Sequence, residues 1–293
     1  MAFQIMFQRS VSIRKDRVFR DRSHPLDIYD DTELIRRYRM PRWCILELID
    51  TLSNDLEPPT MRSHSIPASL QVIGDISGIS QPSVSRIVKK TSKILAQKVG
   101  NYIKFPATPT EQLTVKQGFS TEFNMPNTLG CVDGTLIAIK PPSEREDAYV
   151  CRKGYHAINV QRGQPYVGHL LGDQAYALRQ YLLTPLRNPQ TQADRAFNVA
   201  HKKARQRIED TFGRWKSRWL CIHKYGGPLT VALQTAVDVI TSTAVLHNLC
   251  EKQGFPVEMQ QDNDDNDTDE RVDNDVQDRS GQQMRAMIIR DRF

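Results

Sequence analysis

Apolar side chains recur along this chain with two different periods, and the change of period divides it. Near the N-terminus, DDTELIRRYRM and PRWCILELIDTLSNDL read as helices. Acidic residues lead, Pro41 suits a first turn, and Trp43, Leu46, Leu48 and Ile49 supply an apolar face. EPPTMRSHSIP reads as a loop. VIGDISG then predicts a short helix, Gly78 a turn, and ISQPSVSRIVKKTSKILAQKV a longer helix with Ile87, Val88, Ile94 and Leu95 apolar. Further on, KFPATPTEQLTVKQGFSTEFNMPNTLG is a proline-containing connection with one helix around Glu111–Phe123. GCVDGTLIAIK follows as a strand bounded by Gly130 and Pro141, and YHAINVQ as a second strand. A short apolar run ends at Asp173. AHKKARQRIEDTFGRWKSRWL returns to the helical period, with Ile208, Phe212, Trp215 and Trp219 on one face. A last helix lies within Val237–Cys250.

Three carboxylates interrupt this pattern. Asp133 lies inside the apolar run of Cys131, Val132, Leu136, Ile137 and Ile139. A carboxylate buried there without a partner costs several kcal/mol or takes up a proton. One reading is that a metal ion compensates it; the other is that Asp133 and Gly134 form an Asp-Gly turn. Asp173 ends the second apolar run. Glu209 rides about 100° round from the apolar stripe of its helix, in line with Arg205, Gly213 and Lys216. Taken alone, Glu209 reads as an i,i+4 surface partner of Arg205. Taken together, Asp133, Asp173 and Glu209 are an all-oxygen donor set of the kind Mg²⁺ or Mn²⁺ prefers.

The runs CVDGT, LLGDQAY followed by LTPL, and RIEDTFGRWKSRW resemble the three acidic motifs of the PIF/Harbinger group of DDE transposases, and RKGYHAINVQ and AVLHNLC are typical of the same group. Thirty-five residues separate Asp173 from Glu209, a spacing familiar in DDE enzymes. The resemblance runs from about Asp27 to Cys250. It implies a mixed α/β chain with an RNase H-like nuclease core, cutting DNA with divalent metal held by Asp133, Asp173 and Glu209 as catalytic residues. A helix-turn-helix-like domain would precede that core, and a Myb-like partner protein and a nuclear location, with the cytoplasm as a second place, are usual in the group. On this basis residues 1–25 form a flexible N-terminus and 26–105 the helical DNA-binding domain. Residues 106–258 form a shortened nuclease domain, and 259–293 an acidic disordered tail. Two stretches are shorter than the group's pattern: the one between Ser65 and Val72, and RGQPYVGH between the second strand and Asp173. The shortening leaves room for a weak or inactive enzyme, for a non-catalytic DNA-binding or scaffold protein, or for a truncated isoform derived from a transposase.

Charge sharpens the partner expectation. The net charge is +6, but DNDDNDTDERVDNDVQD at 262–278 carries −8, which leaves +14 on the remainder. A body that basic suits a polyanion. Gln81, Ser83, Ser85, Arg86 and Lys89 open the longer N-terminal helix as helix-turn-helix recognition residues do, although an ordinary helical hairpin accounts for them equally. Lys202, Lys203, Arg205, Arg207, Arg214, Lys216 and Arg218 are candidates to hold phosphates around the acids, or are simply a solvated face. Cys44, Cys131, Cys151, Cys221 and Cys250 contain no CxxC pair, which predicts reduced core thiols rather than a disulfide framework or zinc ribbon. His247 and Cys250 share a helix face and read as core. No apolar run is long enough for a membrane span, and the charged N-terminus does not read as a secretory signal. The last residues, QQMRAMIIRDRF, fit a short amphipathic helix, a docking element or no element at all.

Overall fold

The computed structural model describes residues 24–57, 66, 81–151, 153–160, 168–255 and 278–293. Residues 1–23 of the expected flexible N-terminus, the short helix and turn that would open a helix-turn-helix, and residues 262–277 of the acidic run lie outside the described residues. So does most of RGQPYVGH. At the end of the stretch expected to be flexible, Pro25 is instead buried at the start of a short helical turn, Pro25–Ile28.

The N-terminal unit begins with α1 (Asp31–Tyr38), whose N-cap Asp30 accepts the backbone N–H of Glu33. Helix α2 (Arg42–Leu56) follows, with Pro41 at its N-cap rather than inside its first turn. Its buried face is Cys44, Ile45, Leu48, Leu52 and Leu56, while Trp43 and Leu46 are exposed. The apolar face expected from Trp43 and Leu46 is therefore corrected by one helical step. Every third or fourth residue from Cys44 is apolar as well, and that longer stripe buries more surface. Helix α3 (Gln81–Gln97) packs Ile87 and Leu95 inward and leaves Val88 exposed.

Helix α4 (Pro109–Phe123) starts at a capping box between Thr108 and Glu111. The expected single strand over GCVDGTLIAIK is two strands, β1 (Thr128–Cys131) and β2 (Thr135–Ala138), broken at Val132–Gly134. The Asp-Gly turn reading explains the break, since Asp133 Oδ1 accepts the N–H of Gly134 at 2.9 Å. β2 pairs antiparallel with β3 (Ala157–Val160). β1 pairs parallel with β4 (His169–Leu171), and β4 parallel with β5 (Leu182–Leu183). A three-stranded β1-β4-β5 sheet beside a β2-β3 hairpin is compatible with an RNase H-like core.

Helix α5 (Gln192–Arg218) runs eight residues further upstream than the apolar stripe predicts. A capping box between Thr191 and Asp194 starts it, and Phe197, Ala200 and Ala204 extend its buried face. Helix α6 (Leu233–Lys252) then reaches back to the N-terminal unit. Val245, Leu249 and Cys250 share one apolar cluster with Leu34, Leu48, Leu52 and Leu95. The boundary drawn at residue 105 is thus crossed by a common core. All five cysteines are free, as expected, but only Cys44 and Cys250 are core thiols: Cys131 and Cys151 are partly buried and Cys221 is exposed, which corrects the core reading for it, while His247 is buried as expected.

The tail expectation needs correcting at its end. Residues 279–292 form helix α7 (Arg279–Arg292), capped by Asp278. Met284, Ile288, Ile289 and Phe293 pack into the cluster of Leu171, Leu183 and Phe197, and Phe293 meets the Phe197 ring edge-on. Gly281 lies so close to the Arg179 backbone that an added Cβ would sit 2.8 Å from its carbonyl carbon. No helix among the described residues is long and apolar enough to cross a membrane.

Candidate active site

The parallel register brings the first two acids to one edge of the sheet. Cys131 is level with Leu171, and the N–H of Val132 donates to the Leu171 carbonyl at 2.8 Å. Asp133 and Asp173 each follow two residues beyond this level pair, past the C-terminal ends of their strands. Asp173 is 9% exposed and closes a tight turn, accepting the N–H of Ala175 at 2.9 Å on Oδ1. Gly172 beside it admits the close approach of Leu182 and Tyr176, each of which would lie 3.1 Å from an added Cβ.

Helix α5 meets this edge through Cys131, whose thiol donates to the Ala204 carbonyl at 3.2 Å. The next residue, Arg205, lies 3.2 Å from Asp133 Oδ2 and 3.3 Å from Glu209 Oε1 through the same nitrogen, Nη2. The i,i+4 pairing of Glu209 with Arg205 is therefore present, and it includes Asp133 as a third member. The side chains of Asp133 and Arg205 are largely shielded, whereas that of Glu209 is 44% exposed. Partial burial and then the nearby Asp133 and Asp210 carboxylates push the Glu209 pKa up, while Arg205 and Lys202 pull it down. Burial pushes the Cys131 thiol up to about 12, so it stays protonated as a hydrogen-bond donor.

The donor set suits a hard divalent ion. All three acids offer only oxygen, and two of them already share one cationic group. Even so, among the described residues no three acidic, histidine or cysteine side chains form a ready metal-holding cluster. Arg205 occupies the space between Asp133 and Glu209.

The other predicted residues separate into two sets. Gln81, Ser85, Arg86 and Lys89 are exposed on α3 and Ser83 is partly so; Arg86 Nε donates to the Pro82 carbonyl at 3.1 Å. Lys202 and Lys203 are exposed on α5. Arg205 is turned onto the acids, and Arg207 pairs with Glu122. Arg218 is corrected outright from a candidate phosphate holder to a core residue. It is 1% exposed, bridging Glu251 at 3.2 Å and the Phe255 carbonyl at 2.6 Å. Sequence reasoning missed the internal role of Arg205 because a helical period places it beside Glu209 but says nothing of β1.

Residues 162–248 match the family description "DDE superfamily endonuclease". The chain belongs to the harbinger group of DDE transposase-derived proteins. It is 30% identical to the human protein named "Putative nuclease HARBI1", over 79% of this chain and 81% of the human one. The cattle protein of the same name is 29% identical over the same shares, and the Xenopus laevis one 26% identical over 76% and 79%. The human alignment runs to 283 positions yet takes up only 79% of these 293 residues, so it contains gaps on this chain's side. Such gaps agree with internal shortening. No solved structure matches the chain.

Proposed function

We propose that the chain is a divalent-metal-dependent nuclease acting on DNA phosphodiester bonds, with Asp133, Asp173 and Glu209 as the residues that hold the ions. The observation that carries this reading is the meeting of Asp133 and Glu209 on a single cation, at the sheet edge where Asp173 follows the neighbouring strand. Divalent ions bound there supply Lewis acidity, making water a better nucleophile and offsetting charge on the leaving oxygen.

This chain's own residues do the rest. Asp133 is fixed by the Gly134 N–H and Asp173 by that of Ala175, so each carboxylate has one oxygen held in place. Glu209 approaches from the helix and keeps contact with solvent. Arg205 stands in as counter-ion, and its guanidinium has to give up both acids before they ligate a metal. Lys202 lies near the same acid. The basic character of the body favours a nucleic-acid strand, and a DNA substrate would be met chiefly in the nucleus, with the cytoplasm as a second location.

The test is nicking of supercoiled plasmid with Mn²⁺ or Mg²⁺. Cleavage is expected with wild type and lost in Asp133→Asn and Glu209→Gln. Equal cleavage by both variants overturns the assignment. A second reading, a DNA-binding protein without catalysis, is favoured by the ion pair that fills the site. It predicts DNA binding with no metal-dependent cleavage at any ion concentration.

A further inference from the structure

The three strands of the main sheet run parallel, so their C-terminal ends share one edge. Asp133 follows β1, Asp173 follows β4, and Thr184 follows β5. Crevices outside the carboxyl ends of parallel strands are where such sheets take their ligands. The first two positions carry acids. At the third, the residue that arrives is a cation, and it comes from the far end of the chain.

Arg285 of α7 donates through Nη1 to the carbonyls of Thr184 at 3.0 Å and Pro185 at 3.3 Å. Among the described residues those two carbonyls are its only acceptors, and no carboxylate lies within ion-pair distance of it. The nearest acid to influence it is Asp194, whose Oδ2 already accepts the N–H groups of Gln190 and Thr191. Burial lowers the Arg285 pKa, as expected of a cation taken out of water without a matching anion. Beside it a cleft is lined by Gln174, Tyr176, Thr184, Arg187 and Arg285 together with the apolar Leu178 and Pro185, and among the described residues no acid lines it. Gln174 directly follows Asp173. Two guanidinium forks and an amide facing one acid-free cleft match the oxygens of a phosphodiester. Neighbouring strands are about 4.8 Å apart, so a DNA strand laid over the acids carries a flanking phosphate across the end of β5.

We propose that Arg285 and Arg187, with Gln174, form a backbone-phosphate subsite for the DNA strand on the β5 side of the acids. Helix α7 is then a substrate-binding element as well as a packed one. The inference rests on the nuclease reading for its substrate, and the experiment keeps the two apart by measuring binding without cleavage.

The full chain is titrated with a fluorescein-labelled 30-mer, single-stranded and duplex, in EDTA by anisotropy over a range of salt. Arg285→Gln, Arg187→Gln and Arg285→Lys are compared with wild type, with thermal melting as the folding control. A lost phosphate contact is expected to lower the slope of log affinity against log salt by about 0.7 on single strands and about 0.9 on duplex. Arg285→Gln and Arg187→Gln each should do this and weaken binding several-fold at low salt, and Arg285→Lys should recover most of the slope. Arg187 is exposed, so Arg187→Gln decides the matter if Arg285→Gln fails to fold. An unchanged slope in Arg187→Gln with normal melting overturns the subsite while metal-dependent cleavage, and its loss in Asp133→Asn, still stands. Reduced slopes in the Arg→Gln variants, beside a wild type that binds DNA but never cuts it with Mn²⁺ or Mg²⁺, support the subsite and sink the nuclease. A wild type with no salt-dependent DNA binding overturns the subsite.

Discussion

Arg205 makes its contacts to Asp133 and Glu209 through one nitrogen, while its Nε is buried without an acceptor. An arginine held this way is shared by two carboxylates, offsetting only one of their two charges, and leaves one of its own donors unsatisfied. Arg205→Met should therefore lower the melting temperature of the metal-free protein and raise Mn²⁺ affinity several-fold, as read by calorimetry. Weaker Mn²⁺ binding in the variant would mean that Arg205 positions the acids rather than competing for them. Acid sensitivity also belongs to single residues. His169, His201 and His247 are buried, and desolvation holds each pKa down to about 4. Unfolded, they titrate near 6.5. Between those values the unfolded chain binds more protons, so stability is full above about pH 6.5 and falls as pH drops towards 4. The loss by pH 5 should be on the order of 1–2 kcal/mol per histidine. Melts at pH 7.5 and 5.0 check this, and His201→Gln, if it folds, should flatten the dependence.

At the scale of elements, α5 and α7 decide how firmly the sheet edge is held. Thr191 starts α5 through a capping box, and Thr191→Ala should cost about 1 kcal/mol in denaturant unfolding. Helix α7 is docked by Ile288, which is 3% exposed, and by the close contact of Gly281 with the Arg179 backbone. Ile288→Ala should cost about 2–4 kcal/mol. Gly281→Val should do at least as much, because the obstructing atoms are backbone and cannot rotate aside. If truncation after residue 277 leaves the melting temperature unchanged, α7 is not part of the fold.

For the whole molecule, the shared cluster of Leu34, Leu48, Leu52, Leu95, Val245 and Leu249 ties the N-terminal helices to α6, and Trp219 touches both this cluster and that of Trp215. Unfolding should be one transition, with tryptophan fluorescence and far-ultraviolet dichroism coinciding. Leu249→Ala should shift both probes together; two separated transitions would show independent domains. Charge acts at this scale too. With −8 at 262–278 and +14 elsewhere, removing residues 262–277, which carry −7 of that charge and leave the Asp278 cap of α7 in place, should raise low-salt DNA affinity, since the segment competes with phosphate for the basic body.

What the sequence by itself determined is what is local in the chain. Period 3.6 marked α5, bounding glycine and proline marked the β-region, and an acid inside one apolar run, an acid ending another and a third beside a helical apolar stripe marked the candidate site, because each signal is written in neighbouring residues. The ends of elements were less legible. The start of α5 depends on a Thr191–Asp194 cap that precedes the apolar stripe, and the β1–β2 break depends on the Asp133 carboxylate turning onto the Gly134 N–H. Only the tertiary structure decided the pairings between distant positions: Arg205 against Asp133, Arg218 sealed against Glu251, and Arg285 of the last helix on the end of β5. A charged residue reads the same along the chain whether it faces water or an acid seventy residues away. Its role is set by the partner that folding places beside it, and the energy of that meeting belongs to the fold as a whole.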